Sequence, residues 1–340
     1  MIVMQQHNKA RLAWGCTTLL FFASGAIAEE PDPQEILAGV EKFLARTALQ
    51  DGSYRPGVDP KYPGMSDSAY SDLAPTVYAV IVHKTFGWTL PSEQKTADFL
   101  HSRQQSDGAF VNIGGTADPK SPQARAYNTT QGLVALHALG RRPKYDPLPV
   151  FASALQEDYK KMPLYMTSFF PLAYRTAGKS IPPEADRKIR ALMAQSEDGY
   201  LHEHVASTFH AVHYYRLVGD QTPKADLIVR RVLKDQNKDG SWFINPPARD
   251  RHATFDAVFT LRHLAGSSKE VVAALRKTTQ WVLSCRNADG GFGHFPGSTS
   301  DMDALYFHLG ALVMTGYLKP VEPLPRDPHL LGWGHLMPVK

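Results

Sequence analysis

The sequence predicts an all-α fold of six helical hairpins closed into a double ring, and three observations predict it. Asp-Gly recurs at Asp51-Gly52, Asp107-Gly108, Asp198-Gly199, Asp239-Gly240 and Asp289-Gly290, each with an aromatic residue just after it: Tyr54, Phe110, Tyr200, Trp242 and Phe292. Glycine adopts positive φ without steric cost, so each pair reads as a tight turn. The stretch from Asp107 to Asp198 is long enough for two periods, which predicts a degenerate copy near Glu157-Asp158. Apolar runs such as TVYAVIVHKTFG and TTQGLVALHALG end on Gly87, Gly140, Gly178, Gly219, Gly266 and Gly316, the stop signals of six helices. No period-two run of any length marks a strand.

Repeat one opens with a helix near Glu35 to Thr47, whose Ile36, Val40 and Phe43 share a face, and its partner begins near Asp72. Repeat two pairs Gln94 to Gln105 with Asn128 to Leu139 across VNIGGTADPKSPQARAY, a loop long enough to cover a site. Repeat three, MPLYMTSFFPLAYRTAG, lacks the Asp-Gly turn and carries Pro171 inside its predicted helix, where a kink or boundary is expected. Repeats four and five place Asp186 to Gln195 before HEHVASTFHAVHYYRLVG, and Ala225 to Asp235 before RDRHATFDAVFTLRHLAG. Repeat six joins Val271 to Ser284 to DGGFGHFPGSTSDMDALYFHLGALVMTG, where Asp301 and Asp303 stand at the start of a helix built on Leu305, Leu309 and Leu312. The domain plan is therefore a leader at 1–28, six repeats over 29–318, and a Pro-rich tail at 319–340 expected to lie on the outer surface.

Residues 1–28 read as a secretory signal: Lys9 and Arg11, an apolar run from Leu12 through Phe22, and Ala26-Ile27-Ala28 before Glu29. Cleavage near Ala28 implies an exported protein, periplasmic or extracellular, with no transmembrane domain after cleavage. It leaves Cys285 as the sole cysteine, so the fold rests on packing rather than an internal disulfide. The formal charge of +4 over 340 residues is too weak and too evenly spread for a nucleic-acid partner.

The first and last repeats are as apolar as the middle ones, whereas an open solenoid needs polar caps, so closure into a ring is expected. In a closed double ring the inner helices share one polarity and their N-termini converge at one mouth, each carrying about half a positive charge. The residues at those starts are Asp72, Asn128, Tyr165, His204, His252 and Asp301 with Asp303. Converging polar groups in a concave site define the candidate. Helix capping is the stronger account of Asp72 and Asn128 and an equal one for Asp303, and core packing accounts for most of the aromatic residues along the inner helices, a set that holds Tyr306 and Phe307.

The segment GGFGHFPGSTSDMDALYFHLGALVMTG resembles the repeat of the terpenoid cyclase and protein prenyltransferase superfamily, with SDLAPTVYAV, QSDGAF and DGSW as similar pieces upstream. The resemblance implies an (α/α)6 toroid. It implies two chemistries at the last repeat. In class II triterpene cyclases an acidic D-x-D-D-T-A segment supplies the Asp that protonates a polyene; here Asp301 and Asp303 remain, and Ala304 and Leu305 replace the Asp and Thr after them. In prenyltransferase β subunits the helix begins P-D-x-C-Y, whose Asp and Cys hold zinc with a distant His; here Asp301 matches the Asp, and Asp303 replaces the Cys. Thiolate coordination is therefore lost.

The first expectation is thus an exported toroid acting by acid catalysis on an isoprenoid or other apolar small molecule. Asp303 and Asp301 are its catalytic pair, and Asp72, Asn128, Tyr165, His204, His252 and Tyr306 its substrate-binding residues. No metal ligand is assigned; a divalent ion held by His204, His252, Asp301 and Asp303 is the cofactor alternative, and no partner protein is indicated. Two other readings stand beside it: a polysaccharide lyase or hydrolase on the same barrel, pointing to Arg125 and Tyr127, and a non-catalytic binding scaffold. The shape and lining of the cavity separate them.

Overall fold

A computed structural model describes residues 31–156, 159–194, 196–201, 204–246, 248–323 and 330. The leader, the Glu157-Asp158 repeat remnant and most of the tail beyond 323 lie outside these residues. The chain divides at Pro31, and the unit from Asp32 onward is described below.

Its helices are α1 (Pro33–Thr47), α2 (Ser66–Tyr70), α3 (Ala74–Phe86), α4 (Glu93–Ser102), α5 (Pro122–Ala138), α6 (Leu148–Ala154), α7 (Phe169–Thr176), α8 (Pro183–Leu192), α9 (Val205–Val218), α10 (Ala225–Lys234), α11 (Arg251–Ala265), α12 (Lys269–Ser284) and α13 (Met302–Met314). Burial sorts them into two rings. In α13 every residue from Met302 to Met314 is buried, whereas α10 buries only Ile228 and Val232 and α8 only Ala185 and Ile189. A helix apolar all round belongs inside, and one with a single apolar stripe belongs outside. The inner helices pack in sequence, α3 on α5, α5 on α7, α7 on α9, α9 on α11 and α11 on α13; α13 then returns to α3 and closes the ring.

The Asp-Gly turns make the closure explicit. Gly52 abuts the backbone of Lys95 and Thr96 on α4, and Gly240 that of Lys277 and Thr278 on α12, so each turn docks on the next outer helix. Gly290 of the last repeat docks on the first: its φ is +89°, and a Cβ there would sit 2.0 Å from the carbonyl oxygen of Gly39 in α1. Only glycine permits both the left-handed backbone and that approach. After four of the turns the chain is tied to its own inner helix, the amides of Tyr54, Phe110, Leu201 and Trp242 donating to the hydroxyls of Thr76, Thr129, Thr208 and Thr254 at 3.0–3.2 Å.

Three departures from the expected layout have local causes. The inner helix of repeat two starts at Pro122 rather than near Asn128, because Ser121 caps it by accepting the Ala124 amide and Pro122 suits its first position, so Asn128 lies inside the helix and not at its start. The inner helix of repeat three starts at Phe169, after a 3-10 turn at Leu164–Met166, because Pro171 fits only in a first turn, where its missing N–H is not needed. A short antiparallel pair, β1 (Phe243–Asn245) with β2 (Ala248–Arg249), leads into α11 where no strand was expected. Aromatic rings pack from helix to helix within the inner ring: Tyr78 stacks on Tyr306 at 4.1 Å, and Phe307, Phe255, Phe209 and Phe259 follow in edge-on contacts. At the opposite end, Val321 pairs with the Thr85 carbonyl and packs on Gly87, so the first residues of the tail seal the C-terminus of α3. No described helix is long and apolar enough to cross a membrane.

Candidate functional site

A cavity of about 770 Å³ opens at the N-terminal ends of the inner helices. Met162, Pro163, Leu164, Leu192 and Ile244 make its wall mostly apolar, the exposed Lys160 also lines it, and Asp67, His204 and His252 supply its carboxyl and imidazole groups beside Tyr70, Tyr127 and Tyr165.

Asp67 is delivered by α2, a five-residue helix inside the loop between α1 and α3. Alone so short a helix has little stability. It is held in place by the acidic pair of the last repeat. Asp301 accepts the Met65 amide at 2.9 Å and the Ser68 hydroxyl at 2.7 Å, and Asp303 Oδ2 accepts the Asp67 amide at 2.9 Å. Asp301 also caps its own helix, accepting the Asp303 amide at 2.8 Å. The loop from Ile113 to Ala117 braces the same segment, the Thr116 and Ala117 amides donating to the Ala69 and Tyr70 carbonyls. None of residues 111–121 lines the cavity, so the long loop of repeat two supports α2 rather than covering the site.

Both carboxylates converge on one imidazole. His252 Nε2 lies 3.6 Å from Asp303 Oδ1 and 3.7 Å from Asp67 Oδ2. His252 sits in the first turn of α11, where Asp250 caps the helix by accepting its amide at 2.7 Å, and its ring packs edge-on against Phe307 at 4.2 Å. The Tyr78 hydroxyl donates to Asp67, and Gln131 donates to the Tyr78 and Tyr127 hydroxyls at 3.2 and 2.8 Å. Burial first, and the nearby Asp67 next, push the Tyr78 phenol well above its ordinary range, so it stays a donor. Behind the cluster, burial opposes the charge on Asp301, but His294 at 3.7 Å, the Ser68 hydroxyl and the Asp303 amide outweigh it and hold the carboxyl below the usual range.

The residues singled out in the sequence separate into three places. Tyr165, His204 and His252 line the cavity, His204 also capping α9 through the Ser207 amide. Asp301 and Asp303 are wholly buried directly behind Asp67 and His252. Asp72, Asn128 and Tyr306 lie elsewhere. Asp72 pairs with Arg103 at 2.9 Å and accepts the Ile113 amide, Asn128 joins Ser71 to Asn112 in the interior, and Tyr306 is buried beneath Tyr78. Arg125 lines a separate pocket of about 320 Å³ and pairs there with Asp107. Asp67 escaped sequence reading because it lies outside any periodic run, in a loop whose contacts reach across 236 residues of chain.

Among the described residues, two sets of side chains bring one ligand atom each within 4.8 Å of the others: Asp67 with His252 and Asp303, and His294 with Asp301 and Asp303. Separations of 3.6 and 3.7 Å approach those of neighbouring ligands around one divalent ion with bonds of about 2.0–2.2 Å. One nitrogen and two oxygens suit a hard or borderline ion. They do not suit the thiolate-held zinc of prenyltransferases: Cys285, the only described cysteine, is buried at the end of α12, and burial pushes its thiol up to about 12.

A closed α/α toroid with a polar cluster at the inner-helix mouth defines a class of protein, and comparison with known proteins gives the same class. The chain matches the prenyltransferase alpha-alpha toroid domain over residues 4–147 and 156–335, and it belongs to that family. Among solved structures it is similar to a protein from Actinoplanes, at 17% identity over 84% of this chain and 100% of that one, with a TM-score of 0.57. It is also similar to the protein geranylgeranyltransferase-I of Candida albicans, complexed with GGPP, at 13% identity over 82% and 95% of the two chains and a TM-score of 0.54. The type II terpene cyclase MstE from Scytonema is similar at 14% identity over 90% and 100%, with a TM-score of 0.52. At these identities the likeness is one of fold.

Proposed function

We propose that the mouth cavity is the active site of an enzyme that acts by acid–base catalysis on an isoprenoid or similar apolar-bodied substrate. The observation that carries this reading is the Asp67–His252–Asp303 cluster at a cavity of about 770 Å³ with mostly apolar walls. Such a cavity holds an apolar body by burial while a few placed polar groups act on one end. Asp67 and His252 line it and exchange the proton with substrate; Asp303, wholly buried, orients the His252 imidazole by facing its Nε2 at 3.6 Å and holds the backbone of Asp67. Asp301 anchors α2, and Tyr165 and His204 meet the substrate at the rim. In support, the similar geranylgeranyltransferase was solved with GGPP and the similar terpene cyclase with geranylgeranyl dihydroxybenzoate.

The test is product analysis by mass spectrometry after incubation with geranylgeranyl diphosphate, geranylgeraniol and a geranylgeranyl-substituted phenol. Consumption of at least one, lost in His252→Gln, supports the reading; a folded protein that alters none of them contradicts it. A second reading, favoured by the one-nitrogen, two-oxygen ligand set, has a divalent ion held by Asp67, His252 and Asp303. Metal analysis of the purified protein before and after chelation, with activity followed in parallel, decides between the two. We place the activity outside the cytoplasm on the strength of the leader read at 1–28; a mature chain beginning at Glu29 supports this and an intact Met1 contradicts it.

A further inference from the structure

Beside the C-terminal ends of α5 and α7 lies a groove of about 530 Å³ that shares no lining residue with the mouth cavity. Arg142, Lys144 and Lys179 line it, and all three are exposed. Asp146 is the one acid among its lining residues, and its Oδ1 already accepts the Leu148 amide at 3.1 Å. Elsewhere such cations are matched: Arg103 pairs with Asp72, Arg190 with Asp186 and Asp220, Arg231 with Asp198 and Asp235, and Arg286 with Glu35. Among the described residues no carboxylate pairs with Arg142, Lys144 or Lys179. Nor do these side chains cap a helix. The Ala135, Leu136 and His137 carbonyls of α5 go to the amides of Leu139, Arg141 and Gly140, and the Ala173, Tyr174 and Arg175 carbonyls of α7 to those of Ala177, Lys179 and Gly178. The backbone that carries two of the cations is held in advance. Gln104 accepts the Lys144 and Tyr145 amides at 2.7 and 3.2 Å, His101 Nε2 meets the Arg142 carbonyl at 2.9 Å, and Pro143 and Pro147 fix φ on either side.

An exposed cation attracts a small ion weakly, because water and salt screen each charge separately. A chain of several negative charges gains from all three cations at once, and a backbone already fixed lowers the cost of docking it. A flat bilayer does not enter a groove, and a nucleic acid draws its affinity from many more neutralised phosphates than one groove supplies. An extended peptide suits the place: its carboxylates reach the cations, Arg142 offering a planar fork, while an apolar side chain meets buried Leu133 and Pro147 or the Tyr145 ring, which is 45% exposed. We propose that this groove docks an extended segment of a partner protein rich in Asp and Glu, with Arg142, Lys144 and Lys179 as the residues that select it. The inference stands apart from the active-site reading, and neither depends on the other.

The test is fluorescence anisotropy of labelled octaglutamate and octaglutamine titrated with the purified protein at low and at physiological salt. Octaglutamate is expected to bind at least about ten-fold more tightly than octaglutamine at low salt and to weaken several-fold at the higher. The combined variant Arg142→Gln, Lys144→Gln and Lys179→Gln should erase that preference at unchanged melting temperature. A charge-matched control, Lys42→Gln, Lys234→Gln and Lys277→Gln, removes as much positive charge from exposed positions on α1, α10 and α12 and should keep it. Equal affinities for the two peptides overturn the groove, as does a preference that survives its combined variant. Equal losses in the two combined variants also overturn it, since they mean attraction to the charge of the whole molecule. Tripolyphosphate that displaces the label as well as unlabelled octaglutamate does, at equal charge, makes this an anion site and overturns the peptide. Binding to phosphatidylglycerol vesicles that the groove variant loses, without binding of octaglutamate, overturns it in favour of a lipid surface.

Discussion

The amide of Asp67 donates to the carboxylate of Asp303 at 2.9 Å across 236 residues of chain. One contact thus joins the first repeat to the last, closes the ring at its mouth, and sets the carboxyl group of Asp67 beside the imidazole that Asp303 itself faces. The acidic pair is as much a clamp for α2 as it is a source of charge.

The clamp separates the two acids by stability. At the sequence level Asp301→Asn is expected to cost little, since Asn caps a helix about as well as Asp. In the structure both Asp301 oxygens accept, one from Met65 and the other from Ser68 and Asp303, so an amide nitrogen must face a donor. Asp301→Asn should therefore cost about 1–3 kcal/mol in a denaturant titration. Asp303→Asn can turn its oxygen to the Asp67 amide and its nitrogen to His252, and should lose less than about 1 kcal/mol while losing most turnover. Equal stability losses for the two variants would contradict the clamp.

Tyr78→Phe keeps the ring stacked on Tyr306 and removes only the hydroxyl that donates to Asp67. A loss of about 1–2 kcal/mol is expected, with a fall in turnover at unchanged fold by circular dichroism. Unaltered turnover would show that Asp67 needs no fixing by Tyr78.

Gly290→Ala should cost about 3 kcal/mol or more, because it combines a left-handed backbone with a clash against the Gly39 carbonyl where the ring closes. Gly178→Ala, also at positive φ but with nothing within 4 Å of the added Cβ, should cost about 1 kcal/mol. Thermal melts of the two variants side by side check the difference, and equal losses would contradict closure by this contact.

Most of the architecture is legible in the sequence because it rests on local signals. Gly87 and Gly219 end α3 and α9 in the left-handed region as their positions imply, and Asp301 caps α13 as its place before an apolar run implies. His252 and His204 reach the cavity because a residue at an inner-helix start must face the mouth once the ring closes. The same rule brings Asp72 to the right level of the ring, but there Arg103 and the Ile113 amide hold its carboxylate away from the cavity. Asp67 has no local signature. Its helix of five residues exists through bonds to Asp301 and Asp303, and a pattern of neighbours along the chain carries no trace of them.

Acid should loosen the inner ring in order. Burial first, then nearby Lys84, lowers His83 from 6.5 to about 4, and burial with His204 lowers His210 to about 3. In both cases the unfolded chain binds the proton more readily, so stability is fully present above about pH 6.5 and falls as pH drops toward 4 and 3. Asp301 adds a loss below its unfolded value of 3.8, because its folded carboxyl is held lower still. His83→Leu should flatten the decline between pH 6.5 and 4 in urea titrations; an identical slope would contradict the assignment.

The most direct measurement compares turnover of an isoprenoid substrate by Asp67→Asn and Asp72→Asn, two like substitutions five positions apart on one segment. Asp67 lines the cavity beside His252, whereas Asp72 faces Arg103 outside it. The account predicts a fall of at least about a hundred-fold for Asp67→Asn, the scale of a lost general acid or base, and a change within a few-fold for Asp72→Asn. Turnover that survives Asp67→Asn, or that fails in Asp72→Asn at unchanged stability, would contradict it.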